Sequence, residues 1–61
     1  MIMCEFKVFL DGKQVAEDII YAKQENDKVI IRGIIGDFQS FDGAKILEVD
    51  VFSTRLVLDH N

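Results

Sequence analysis

Apolar and polar residues alternate with a period of two along most of the chain. In Cys4-Glu5-Phe6-Lys7-Val8-Phe9-Leu10 the even positions are apolar, with Glu5 and Lys7 between them. That is the pattern of a strand with one face in a core. Asp11-Gly12 then marks a tight turn. Ile19-Ile20-Tyr21-Ala22 favours a pleated surface and predicts a second strand, with Asp18 beginning a turn ahead of it. Glu25-Asn26-Asp27 is turn chemistry, because Asn and Asp side chains satisfy nearby backbone groups. Residues 28–35 form a β-branched run too continuous for a half-buried strand. It meets Gly36-Asp37, read as a two-residue hairpin, and returns through Phe38-Gln39-Ser40-Phe41. Asp42-Gly43 turns again, and residues 45–51 alternate, with Leu47, Val49 and Val51 opposite Glu48 and Asp50. Phe52-Ser53-Thr54 leads into a last strand, Arg55-Leu56-Val57-Leu58-Asp59, with His60 and Asn61 as a frayed tail.

No window of ten residues carries a 3.6-residue stripe, so the expected fold class is all-β. The spacing predicts a small antiparallel β-barrel, SH3-like, of five to six short strands, forming a single domain over residues 1–61. A chain of this size buries only about 60% of its unfolded surface and is marginal without help. One cysteine cannot make an intramolecular disulfide, and with His60 as the one histidine a closed zinc site within one subunit is out of reach. Self-association is the remaining aid. Phe9, Ile30, Ile34, Ile46 and Val57 fall on the wrong faces of their strands for a monomer core. A buried second face in a two-fold homodimer is the expectation.

Charge narrows the function classes. The net charge is -4, from 11 acidic and 7 basic residues, and the basic ones are scattered singly. Nucleic-acid binding draws on clustered Lys and Arg to release counterions, so nucleic acid is an unlikely main partner. No apolar run approaches the ~20 residues that span a bilayer, and no signal peptide is seen, so a cytoplasmic protein is expected. An unpaired cysteine suits that reducing compartment. Gly33 and Gly36 have no following helix to cradle a phosphate, and no Ser or Cys has a histidine base beside it in the pattern. The chain therefore does not read as an enzyme. Cys4 has two readings: a packed core thiol in phase with Phe6, Val8 and Leu10, or a ligand presented at the open mouth of the barrel. Near a two-fold axis, two copies of Cys4 would face one point.

Met3-Cys4-Glu5-Phe6-Lys7-Val8, Glu17-Asp18, Asn26-Asp27-Lys28-Val29, the hairpin at Gly36, and Gly43-Ala44-Lys45-Ile46-Leu47-Glu48-Val49-Asp50 followed by Arg55-Leu56-Val57-Leu58 together resemble the CooT family. The resemblance implies a small nickel-binding accessory protein of carbon monoxide dehydrogenase maturation, with that enzyme as client. It implies one Ni(II) held by the thiols of a homodimer, and Cys4 is the matching position. Relatives of this kind also carry an RNA-binding label. The alternative is accordingly an RNA-binding or structural barrel with Cys4 in the core. In the family the cysteine follows the initiator methionine, whereas Cys4 follows Met1-Ile2-Met3. A start at Met3, once that residue is removed, exposes the amine of Cys4 for a five-membered N,S chelate suited to Ni(II). A start at Met1 leaves an amide, which must lose a proton to ligate.

Overall fold

The computed structural model describes residues 4–61, and the described chain is all-β. Its strands are β1 (Phe6–Leu10), β2 (Lys13–Glu25), β3 (Lys28–Gly33), β4 (Phe38–Asp42), β5 (Ala44–Asp50) and β6 (Arg55–His60). They form one sheet in the order β4-β3-β2-β1-β6-β5. β4 and β5 lie at opposite edges of this sheet, yet only Gly43 separates them along the chain. A six-stranded sheet whose two edges are one residue apart has to curl round on itself. The left-handed backbone at Gly43 (φ 69°) makes that corner.

The curl is built mainly into β2. Relative to its neighbours this strand carries extra residues at Val15, at Glu17–Asp18 and at Ile20. Each such bulge bends the strand and increases its twist. Asp18 (φ 56°) therefore sits at a kink inside one continuous strand, where the sequence predicted a turn. The expectation of a wholly antiparallel barrel is corrected at one pair. β1 and β6 run parallel, from Lys7 opposite Arg55 to Leu10 opposite Leu58. Four intervening strands supply the long crossover that a parallel pair needs.

Two further expectations change. The β3–β4 connection is four residues, Ile34 to Asp37, and not the two-residue Gly36-Asp37 hairpin. The Ile34 N–H donates to the Asp18 carbonyl at 2.9 Å, which draws the chain towards the β2 kink and ends β3 at Gly33. The C-terminal residues are not frayed. His60 ends β6 with its Nε2 2.7 Å from Asp11 Oδ2, and the Asn61 N–H donates to the Gly43 carbonyl at 2.9 Å.

The core is Val8, Ile19, Val29, Ile31, Ala44, Leu56 and Leu58, with Phe6, Leu10, Ala16, Phe41 and Ile46 packed against it. Backbone pairing leaves a seam between β2 and β5, and one side chain ties its far end. Gln24, on the core face of β2 opposite Val29, accepts from the Ile46 N–H at 2.9 Å. Its Nε2 donates towards the carbonyls of Ala44, Lys28 and Asn26, each at 3.1 Å. The Ala44 N–H completes the tie by donating to the Asp27 carbonyl at 3.0 Å. Gln24→Leu removes the strap and leaves edge groups of β5 without partners. A loss of about 1–3 kcal/mol is expected, read as a lower urea midpoint; an unchanged midpoint would show that water replaces the amide without cost.

Candidate functional site

From the Gln24 tie the seam widens towards the other end of the barrel. There it becomes an apolar groove of about 240 Å³. Its walls are Phe6 from β1, Ile19, Ile20, Tyr21 and Ala22 from β2, and Ile46, Val49 and Leu56 from β5 and β6. The groove stays open because of register. Leu47 is an extra residue in β5, so Val49 lies opposite Leu56 on the core side of an edge strand with nothing beyond it. Val49 is 56% exposed in consequence.

The β5–β6 turn that follows Val49 also exposes apolar side chains. Val51 is 65% exposed and Phe52 fully so. Asp50 shapes the turn: its Oδ1 accepts from the Ser53 N–H at 3.1 Å. Hydrogen bonds from Ser53 hold the Asp50 carboxyl below the usual carboxylate range. A lowered pKa means the folded turn gains from the charge above the ordinary value. That gain is lost as pH falls through the lowered one.

Cys4 is exposed and lies two residues ahead of β1, not at the strand's first residue. Its neighbour in phase, Phe6, is only half-buried and already forms a groove wall. The thiol is thus outside the core of a single chain, which removes the packed-thiol reading for the monomer. The first ladder contacts of β1 fix this end of the chain: Phe6 pairs with Ile19, and the Lys7 N–H donates to the Thr54 carbonyl at 3.0 Å. The alternative start at Met3 lies outside the described residues.

The exposed apolar surface is not the one the strand phases predicted. Phe9, Ile30, Ile46 and Val57 are half-buried, and of the five only Ile34 is exposed. Phe9 pairs with Val57 and lies beneath the Arg55 guanidinium, 6.0 Å from its ring centroid. The bulge at Leu47 rotates Ile46 towards the core, opposite Leu58. Val49 keeps the core side but lines the open groove, while Leu47 and Val51, also expected to point inward, are exposed.

Among the described residues no three His, Cys, Asp or Glu side chains converge as a metal cage. His60 pairs with Asp11 at the other end of β1 from Cys4, so the fold does not bring histidine to the thiol. Glu48 faces Arg55 at 3.7 Å on the exterior. One chain therefore offers a borderline-soft metal ion a single thiol. No helix of the described chain is long and apolar enough to cross a membrane.

The fold is thus a small open barrel with an apolar seam and an exposed thiol ahead of its first strand. The chain belongs to the CooT family, whose description is CO dehydrogenase accessory protein CooT: residues 3–59 match it, nearly the whole length. It is also 28% identical over 57 residues to a Methanocaldococcus jannaschii protein described as uncharacterized, covering 93% of this chain and 98% of that protein. The role that follows from the family is that of an accessory protein to a CO dehydrogenase.

Proposed function

We propose that two copies of the chain pair over the open end of the seam and carry one Ni(II) between their Cys4 thiolates, as cargo for a CO dehydrogenase client. The reading is supported chiefly by the exposure of Cys4 two residues from Phe6, a wall of the groove that Val49 also lines, with Val51 and Phe52 exposed in the turn that follows Val49. A single-domain chain of this size gains from covering such a surface, and a two-fold pairing covers both copies at once. The same pairing gives the metal two sulfurs that one chain lacks. Backbone or terminal nitrogens complete a planar N/S set, which favours Ni(II) over tetrahedral zinc. In this reading the protein performs no catalysis, acts in the cytoplasm and forms one domain.

Sedimentation at micromolar concentration is expected to give twice the chain mass, and titration one Ni(II) per two chains. Val49→Glu places a carboxylate in the covered groove and should shift the species to monomer and weaken nickel binding together. A clean monomer of the unaltered chain, or one nickel per chain, would overturn the shared site.

A further inference from the structure

The outer face of β2, β3 and β4 carries a row of side chains of which only Tyr21 also borders the groove. Tyr21, Arg32 and Phe38 lie directly opposite one another on three adjacent strands. The Arg32 guanidinium carbon is 5.3 Å from the Tyr21 ring centroid and 5.8 Å from that of Phe38. The two rings hold the planar cation between them by cation–π attraction. Tyr21 is 41% exposed and Phe38 64%, so this arrangement faces solvent and not the core. Ile35, 88% exposed in the β3–β4 turn, adds an apolar rim three residues from Phe38.

Charge on this face runs against the rest of the molecule. The register places Lys23, Lys28 and Arg32 on it with Glu25 and Asp42, three cations to two acids. The remainder of the chain holds nine acidic residues and four basic ones. Lys23 and Lys28 are both engaged with Glu25, at 3.3 and 3.8 Å. Among the described residues no acid pairs with Arg32. The face thus presents one unpaired, pre-oriented guanidinium framed by aromatic rings. Tyr and Arg lead the residues that carry binding energy in protein interfaces, and apolar surroundings that exclude water strengthen the ion pair they make.

We propose that this face docks the client protein, with Arg32 receiving a carboxylate that the partner presents among apolar side chains. The inference rests on the accessory role and is independent of how nickel is held. A nucleic acid fits the face less well. One free cation beside two neutralised lysines, on a chain of net charge -4, gives little counterion release. Arg32 and Phe38 are not walls of the groove, and Tyr21 alone of the row borders it.

The test is binding of the purified dimer to immobilised apo CO dehydrogenase from the same source, with Arg32→Ala, Arg32→Lys and Phe38→Ala beside the unaltered chain. Each Ala variant is expected to weaken binding by roughly 30-fold or more. Arg32→Lys should fall between, since it keeps the charge and loses the planar stack. Dimer mass, circular dichroism and nickel stoichiometry should stay as in the unaltered protein. Client binding that is absent, or as tight in both Ala variants as in the parent, overturns the proposal. So does submicromolar binding of a short single-stranded RNA at physiological salt that the same substitutions abolish. Failure of the nickel reading would show separately, as loss of stoichiometric metal with client binding still dependent on Arg32.

Discussion

Replacing Cys4 with serine is expected to abolish stoichiometric nickel binding and leave the barrel folded. A hydroxyl is a far weaker ligand than a thiolate for a borderline-soft ion, so the loss should be complete at micromolar metal. Stability should hold because the side chain is exposed ahead of β1 and contributes nothing to the Val8–Leu58 core. In the unaltered dimer a planar Ni(II)–thiolate complex should be diamagnetic and show charge-transfer absorption. Both signatures should fade at acid pH as protons compete for sulfur. His60→Ala is the matched control, since its ring sits with Asp11 at the other end of β1. It should leave the absorption unchanged. Nickel bound by the serine variant with equal affinity would place the metal elsewhere. A serine variant that unfolds would mean the thiol is packed in the assembled protein.

The second large effect is on the fold itself. Ile31 is fully buried, on β3, with β2 and β4 hydrogen-bonded to either side. Truncation to alanine leaves a cavity and forfeits transfer energy, together about 2–5 kcal/mol. A domain of this length has a total stability of only about 3–9 kcal/mol. Ile31→Ala should therefore be largely unfolded in mild urea, whereas Ile31→Val should cost about 0.5–1.5 kcal/mol. Equal urea midpoints for Ala and the parent would mean the barrel collapses to fill the void. Adding nickel should raise the midpoint of the parent more than that of the Cys4→Ser chain, by mass action on the folded state.

The strands themselves were largely legible in the sequence. Alternation at Phe6, Val8 and Leu10 found β1, and Asp11-Gly12, both left-handed (φ 55° and 75°), found its turn. What alternation cannot carry is a bulge, because one inserted residue reverses every later face of the strand. Leu47 does this in β5: Ile46 and Val49 both fall on the core side, and Leu47, expected inward, is exposed. The β2 bulges hid a continuous strand behind the turn-like Glu17-Asp18. Gln24 carried no visible signal as a strap, since its partners in β5 are twenty and twenty-two residues away. The row Tyr21, Arg32, Phe38 was equally silent, for it exists only once three strands are in register. Cys4 was legible as a candidate because a single thiol near a chain end stands out in any sequence. Its exposure depended on where β1 begins, and that is fixed by Ile19 and Thr54 from distant segments.

The parallel pairing of β1 with β6 also sets the order in which the molecule can be made. During translation β1, β2 and β3 leave the ribosome early and can pair through local turns. The second edge of β1 has no partner until Arg55–His60 has been synthesised and released. Leu56 and Leu58, two of the seven core side chains, arrive with that last strand. The core is therefore incomplete until β6 docks, and the Lys7 N–H, just beyond Cys4, has no partner until the Thr54 carbonyl arrives. Closure of the barrel is a long-range event in which the first and sixth strands find each other. Whatever the thiol is to receive meets an ordered β1 only once β6 has docked.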